Sequence, residues 1–143
     1  MKIKLQTEVP GPVGEVFSGF DRKLFEALSP PLMPVEVRRF DGCDVGHEIH
    51  LKLPVGEWIS LITDRVVGPD ECLFVDEGKK LPFPFVYWRH RHIVRGTKTG
   101  SLIIDDIEYK TKSSILDILV RPVLWIMFKA RHPIYRRFFQ EKA

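Results

Sequence analysis

The chain has 143 residues, of which 44% are apolar and 29% charged, a composition that is typical of a folded globular domain and excludes a disordered chain. Its net charge of +3, from 22 basic and 19 acidic residues, does not suffice for a dense basic surface, so we expect no nucleic-acid partner. We expect one domain over residues 1–143 in the cytoplasm, because no signal-peptide core is evident and Cys43 and Cys72 are isolated thiols.

The first quarter of the chain is predicted to contain one strand followed by two short helices. Ile3, Leu5 and Thr7 alternate with polar residues, which predicts a strand that ends at Pro10. Two helices are predicted over residues 13–19 and 21–27, with Asp21 as the N-cap of the second.

The middle of the chain is predicted to form six strands separated by turns rich in glycine and proline. Short turns of this kind favour antiparallel pairing between successive strands over crossover helices. The predicted strands cover residues 35–40, 48–53, 58–67, 71–76, 86–95 and 101–109.

Residues 113–140 are predicted to form a long apolar helix, which would span about 42 Å if it were continuous. Pro122 lies inside this segment, and we expect one kinked helix because the apolar stripe keeps its phase across the proline. The alternative is two helices that meet at Arg121 and Pro122. Pro133 predicts a second kink or a fraying end. The stripe consists of Ile115, Leu116, Leu119, Val120, Val123, Leu124, Met127 and Phe128, and is extended by Ile134, Tyr135 and Phe138.

This helix is not expected to cross a membrane, because charged residues interrupt it before an apolar run of about 18 residues is reached. An antiparallel sheet that curls around the helix would bury the stripe of the helix and the apolar face of the sheet together.

Several motifs resemble the START-like (SRPBCC) superfamily, in particular its small bacterial members named for polyketide cyclase/dehydrase and lipid transport. The resemblance covers nearly the whole chain and rests mainly on residues 74–77 (FVDE), 83–85 (FPF), 88–92 (WRHRH) and 105–109 (DDIEY). It implies an α+β helix-grip fold, in which a curved antiparallel sheet of about seven strands wraps around a long C-terminal helix. Two short helices would follow the first strand, and a deep apolar cavity would lie between sheet and helix. This architecture hosts binders and enzymes alike, so it does not specify the function.

Three polar residues are candidates for catalysis because strand alternation places them on the inner face of the predicted sheet. His90 and His92 share one face of their strand, and Asp105 lies on the corresponding face of the next strand. A histidine beside a carboxylate can act as an acid or base near neutral pH. The same residues can equally form a satisfied polar network that orients a ligand, which we favour because no nucleophile is identifiable.

Neither a metal nor an organic cofactor is expected. His90 and His92 have the spacing of metal ligands, but a zinc site needs a third and usually a fourth ligand. His47 and His50 are three residues apart, so a strand would direct them to opposite faces. The glycines do not form a phosphate-binding loop, which argues against a nucleotide cofactor.

The combined expectation is a protein that binds a small hydrophobic molecule, such as a lipid or a polyketide-like compound, with no obligate protein partner. One alternative is a cyclase or dehydratase that uses a cavity histidine as general base, and another is an interaction module with a filled, vestigial cavity. The candidate ligand-binding residues are Trp88, His90, His92, Asp105, Tyr109, Leu116, Leu119, Val123 and Met127.

The basic C-terminal end is expected to be a solvated helix terminus. The alternative is transient contact with an anionic membrane surface during ligand uptake. The basic residues concerned are Lys129, Arg131, Arg136, Arg137 and Lys142.

Overall fold

The computed structural model describes residues 1–30 and 33–142, which form seven strands and four helices. The strands are β1 (Lys2–Val9), β2 (Glu36–Phe40), β3 (Glu48–Leu53), β4 (Gly56–Val67), β5 (Glu71–Lys80), β6 (Phe85–Gly96) and β7 (Ser101–Thr111). The helices are α1 (Val13–Ser18), α2 (Arg22–Ala27), α3 (Ser114–Lys129) and α4 (Arg131–Lys142).

All seven strands belong to one antiparallel sheet with the order β1-β7-β6-β5-β4-β3-β2. Strands β2 to β7 are therefore joined as a meander, and β1 closes the row beside β7. Register shifts in the β2–β3, β4–β5 and β6–β7 pairs mark bulges, which bend strands and increase the curvature of a sheet. The predicted α+β helix-grip architecture, with about seven strands and two short helices after the first, is confirmed.

The strand predictions differ from the structure mainly at β5, which continues four residues beyond the predicted end at Asp76. β5 pairs with β4 as far as the Ile59–Lys80 pair. The polar end of β5 is therefore held by backbone hydrogen bonds, and no alternation of apolar residues marks it in the sequence. At α2, the Asp21 side chain accepts a hydrogen bond from the Leu24 N–H, as the predicted N-cap requires.

The inner face of the sheet carries two separate apolar clusters. One packs the sheet against α1, α2 and α4 around Phe20, Leu24 and Tyr135. The other packs the β1–β7–β6 side against α3 around Trp88 and Phe128. The space that the two clusters leave between them holds the candidate site described below.

The C-terminal segment is helical through Pro122 and divides at Ala130 instead. Pro122 has no N–H to donate to the carbonyl four residues earlier, but α3 continues on both sides of it. Pro133 lies in the first turn of α4, where helical N–H groups lack intrahelical partners anyway. Because Pro133 cannot donate to the Lys129 carbonyl and its ring crowds that group, a continuous helix across Ala130 is disfavoured.

The outer face of α3 is apolar but is not covered by the rest of the described chain. The expected burial of the whole stripe is therefore wrong at this face, while Leu124 and Phe128 on the opposite face are buried. α3 packs on β7 and the edge strand β1, and only one of its two apolar sides contacts the sheet. The exposed residues, each more than half exposed, are Ile115, Ile118, Leu119, Val123 and Ile126.

Within the described residues 1–30 and 33–142, no helix is both long enough and apolar enough to cross a lipid bilayer.

Candidate ligand cavity and its polar floor

A cavity of about 370 Å³ lies between α3, the N-terminus of α4 and the inner face of strands β3 to β6. Its volume falls within the range of small-molecule sites, about 300–1,000 Å³. Most of its lining is apolar. Apart from Ser29, the hydroxyl, carboxylate, imidazole and guanidinium groups of the lining belong to one cluster linked by hydrogen bonds and imidazole stacking, namely Ser60, Asp76, His90, His92 and Arg131. This open space argues against the alternative of a filled cavity.

The mouth of the cavity is marked by lining residues that are themselves exposed to solvent. Val55 in the β3–β4 turn and Phe83 in the β5–β6 loop are 59% and 66% exposed. Leu119 and Val123 on α3 are 61% and 55% exposed and complete the rim. The opening is thus bordered by apolar side chains from two loops and one helix.

One wall of the cavity is aromatic. Trp58 and Trp88 meet edge to face, with ring centroids 4.8 Å apart and ring planes at 88°. Phe85 lies 5.7 Å from Trp58 and 5.8 Å from Trp88 in the same edge-to-face manner. Interlocked rings of this kind give a rigid apolar surface for a ligand.

The floor of the cavity contains Asp76, His90 and His92, which are all at most 6% exposed. Asp76 on β5 pairs in register with His90 on β6, but its carboxylate Oδ2 accepts a hydrogen bond of 2.5 Å from Nε2 of His92. Asp76 Oδ1 also accepts from the Ser60 hydroxyl at 3.2 Å. His92 lies two residues beyond His90 on the same face of β6, so it is the diagonal neighbour of Asp76. Diagonal neighbours on adjacent strands are close enough for long side chains to touch.

A second carboxylate, Asp105 on β7, lies behind His90. Its Oδ1 accepts a hydrogen bond of 2.8 Å from His90 Nε2, although Asp105 pairs in register with His92. Arg131 Nη1 and the Tyr135 hydroxyl, one turn apart on α4, each donate to the same oxygen at 3.4 Å. Helix α4 therefore closes the network from the side opposite the sheet.

The protonation of this network at neutral pH follows from burial and pairing. Burial raises the pKa of Asp105, but the hydrogen bond from His90 and the charge of Arg131 outweigh it and lower the pKa to about 2. Burial also raises the pKa of Asp76, and here the bond from His92 and the neighbouring imidazoles make the net shift downward. Both carboxylates are therefore ionised.

His92 is neutral at pH 7, because burial and the neighbouring His90 lower its pKa to about 4 despite the contact with Asp76. Since its Nε2 carries the proton that bonds Asp76, its Nδ1 is an unprotonated acceptor. That buried Nδ1 has no hydrogen-bond partner among the residues that the structure describes.

The two imidazoles are stacked, with centroids 3.6 Å apart and ring planes at 25°. Asp76, His90 and His92 offer three metal-ligand atoms within 4.8 Å of one another. However, imidazole lone pairs lie in the ring planes, and nearly parallel rings direct them side by side rather than toward one ion. The carboxylates also accept the ring protons, so the geometry is that of a hydrogen-bond network.

The predicted ligand-binding residues divide into two groups. Those that line the cavity are Trp88, His90, His92, Leu119, Val123 and Met127. Asp105, Tyr109 and Leu116 lie outside the lining. Asp105 is behind His90, and the buried Tyr109 instead donates its hydroxyl to the Asp117 carbonyl at 2.7 Å.

Two polar residues of the cavity, Asp76 and Arg131, were not among the predicted site residues. Asp76 follows Cys72 and Phe74 at two-residue spacing, so alternation along β5 could have identified its inward direction. Arg131 was expected at a solvated helix end, but its side chain is only 17% exposed and bonds Asp105. No local pattern marks that contact, because it depends on how α4 docks.

Comparisons with known proteins establish the fold. No family profile matches the sequence, and no curated protein matches it. Among solved structures, a START superfamily protein from Mycobacterium smegmatis aligns with a TM-score of 0.72 at 10% identity, over 99% of both chains. The di-domain ARO/CYC StfQ from the steffimycin biosynthetic pathway aligns at 0.67 with 16% identity, over 99% of this chain and 51% of StfQ.

A nucleoside-diphosphate sugar epimerase from Corynebacterium glutamicum aligns with a TM-score of 0.70 and 20% identity, over 93% of this chain but only 28% of the epimerase chain. The chain thus spans well under two thirds of two of these proteins. At such low identities the similarity establishes the START-like helix-grip fold alone, and it does not transfer any activity.

Proposed function

We propose that the protein binds a small hydrophobic molecule, such as a lipid or a polyketide-like compound, in the cavity between the sheet and α3. The single observation that supports this proposal most is an open, largely apolar space of about 370 Å³ with a few convergent polar groups at one end. The aromatic wall would contact the apolar body of the ligand, and Asp76, His90 and Arg131 would face its polar end.

The proposal is tested by titration with Nile red, a neutral fluorescent probe for apolar sites. We expect saturable binding of one probe per chain, which Met127→Trp abolishes because the larger side chain fills the cavity. Ile126→Trp is the matched control, because Ile126 is 65% exposed and is not part of the lining. Retained binding in Met127→Trp, or equal loss in both variants, would show that the probe binds elsewhere.

Native mass spectrometry of protein purified from its own host gives an independent test. A co-purified molecule that Met127→Trp fails to retain would support the binding function and would identify the ligand's mass. Protein that is consistently free of ligand would instead favour the alternatives, which are a cyclase or dehydratase and an interaction module.

A second candidate function is acid–base catalysis of the cyclase or dehydratase kind. One observation favours it: Asp105, which is held by Arg131 and Tyr135, orients His90 through Nε2. The Nδ1 of His90 makes no hydrogen bond within the described residues, and the ring lines the cavity. A carboxylate-oriented imidazole of this kind is a common general base.

We also propose that the ligand is exchanged at an anionic membrane surface through the outer face of α3. That face is apolar and continuous with the mouth, because Leu119 and Val123 belong to both. Lys129 lies 4.5 Å from the ring centroid of Trp125, a pairing that suits the interface between lipid headgroups and acyl chains. Asp117, the one acidic residue of α3, is bonded to Thr111 instead of opposing that surface.

A further inference from the structure

The polar floor of the cavity offers both donors and acceptors to a ligand. Arg131 uses Nη1 for its bonds to Asp105 and Tyr135, and a guanidinium has further N–H groups to donate. Asp76 accepts one hydrogen bond at each carboxylate oxygen, and each oxygen has a second lone pair. Nδ1 of His90 lies 3.9 Å from Asp76 Oδ2, too far for a direct hydrogen bond.

These donors and acceptors lie close to one another. His90 and Arg131 both donate to the same oxygen of Asp105, so their side chains approach within a few ångströms. Asp76, His90 and Arg131 all line the cavity. His90 is thus the neighbour of Asp76 on one side and, across Asp105, of Arg131 on the other, so the acceptors and the guanidinium border the same part of the cavity.

The formal charge of the floor argues against an anionic ligand. Asp76 and Asp105 contribute two negative charges, and Arg131 contributes one positive charge. His92 is neutral at pH 7, so a proton on His90 would raise the sum only to zero. A ligand carboxylate would also be repelled by the buried negative charge of Asp76, and it has no hydrogen to donate to the Asp76 carboxylate.

We propose that the ligand's polar end is an uncharged hydroxyl, such as that of an alcohol, phenol or enol, bound between Asp76 and His90 on one side and Arg131 on the other. A hydroxyl can donate to the carboxylate or imidazole and accept from the guanidinium at once. A carboxylate lacks the donor, and an ammonium group lacks the acceptor. This inference rests on the proposed binding function and specifies its ligand class.

The test compares three matched naphthalenes as competitors of Nile red at pH 7: 2-naphthol, 2-methylnaphthalene and 2-naphthoate. We expect 2-naphthol to bind at least tenfold more tightly than 2-methylnaphthalene, since hydrogen bonds to charged groups are the strong ones. We expect 2-naphthoate to bind at least tenfold more weakly than 2-naphthol.

The variant Asp76→Asn should reduce the ratio of the dissociation constants of 2-naphthoate and 2-naphthol by tenfold or more, because asparagine removes the negative charge and keeps the shape of the side chain. Asp106→Asn is the control, since Asp106 pairs with Arg91 on the outer face. Should Asp76→Asn fail to fold, the ligand series on the unaltered protein decides the question alone.

The outcomes separate the two proposals. Suppose that Nile red binds saturably but 2-naphthol binds no more tightly than 2-methylnaphthalene, or that 2-naphthoate binds as tightly as 2-naphthol. Either result overturns the hydroxyl inference and leaves the binding function in place. If Nile red itself shows no saturable binding, both proposals are overturned.

Discussion

At the scale of single residues, the floor of the cavity is one hydrogen-bonded network and not a set of isolated polar side chains. His90 and His92 each donate Nε2–H to a carboxylate, and each carboxylate belongs to a different neighbouring strand. Burying these polar groups is tolerated only while each keeps its hydrogen-bond partner. A buried polar group that loses its partner lowers the stability of the fold by about 1–3 kcal/mol.

Breaking the His90–Asp105 contact should therefore destabilise the protein. We expect His90→Gln to lower the free energy of unfolding by about 1–3 kcal/mol, and the double variant with Asp105→Asn to show non-additive loss. Urea denaturation of the four proteins in the cycle measures the coupling. Strictly additive losses would contradict a shared network.

The Arg91–Asp106 pair provides a matched control for this cycle. It joins the same two strands at 3.1 Å but lies on the outer, partly solvated face. Arg91→Gln and Asp106→Asn should couple by less than about 1 kcal/mol. If His90→Gln instead leaves stability intact and a turnover assay finds activity that it abolishes, the acid–base function gains support.

The stability of the fold should depend on pH because His92 is buried in its neutral form. Its pKa is lowered to about 4 in the folded protein, whereas an unfolded histidine titrates near its ordinary value of about 6.5. Between these values the unfolded chain binds the extra proton, so stability falls as the pH falls. The expected loss is on the order of 3 kcal/mol between about pH 6.5 and 4.

Thermal unfolding of the native protein and of His92→Gln across that pH window measures the effect. The variant should show a flatter dependence on pH, while His47→Gln, outside the cavity, should behave like the native protein. Below about pH 4, protonation of Asp105 should remove further stability, because its folded pKa is about 2. Parallel curves for His92→Gln and the native protein would contradict this assignment.

At the scale of elements, α3 is unusual in carrying apolar residues on two opposite sides. One side buries Leu124 and Phe128 against the sheet, and the other leaves Ile118 and Ile126 more than 60% exposed. Contiguous exposed apolar surface commonly marks a site of interaction, so we infer that this outer face contacts a partner. The proposed partner is an anionic membrane surface.

Introducing charge on that face should weaken membrane contact without unfolding the protein. We expect Ile118→Glu with Ile126→Glu to reduce binding to phosphatidylglycerol-containing vesicles at least tenfold in a sedimentation assay. Unfolding stability should change by less than about 1 kcal/mol, because both side chains are exposed.

The control for this prediction replaces Val66 and Val67 on β4 by glutamate. Both are more than half exposed, and both lie outside the cavity lining. Vesicle binding that is unaffected by the α3 variant, or is equally reduced by the β4 variant, would contradict a membrane-docking role of α3.

At the scale of the whole molecule, the cavity separates the two apolar clusters of the inner face. One cluster depends on α1, α2 and α4, and the other on α3. A bound apolar ligand would contact residues of both clusters, such as Phe25 beside the first and Trp88 in the second. Ligand binding is therefore expected to stabilise the fold as a unit.

Saturation with 2-naphthol should accordingly raise the melting temperature. At a free concentration of a hundred times the dissociation constant, linkage gives about 2.7 kcal/mol, which corresponds to several degrees for a protein of this size. Differential scanning calorimetry measures the shift, with Met127→Trp as the variant that should lose it. An unchanged melting temperature in the native protein would contradict binding to the folded state.

The sequence by itself determined the element order, the antiparallel sheet, the N-cap at Asp21 and the inward direction of His90, His92 and Asp105. These features follow from local rules, because strand alternation, turn residues and capping are set by neighbours along the chain. The apolar spacing likewise identified Leu119, Val123 and Met127, which the structure places in the cavity lining.

Only the tertiary structure decided which inward residues meet. Strand register and side-chain length made the bonds diagonal, so that His92 contacts Asp76 and His90 contacts Asp105. The division at Ala130 directs α4 so that Arg131 and Tyr135 reach the same carboxylate from 26 and 30 residues away in sequence. Such contacts depend on the docking of elements distant along the chain, which no local pattern encodes.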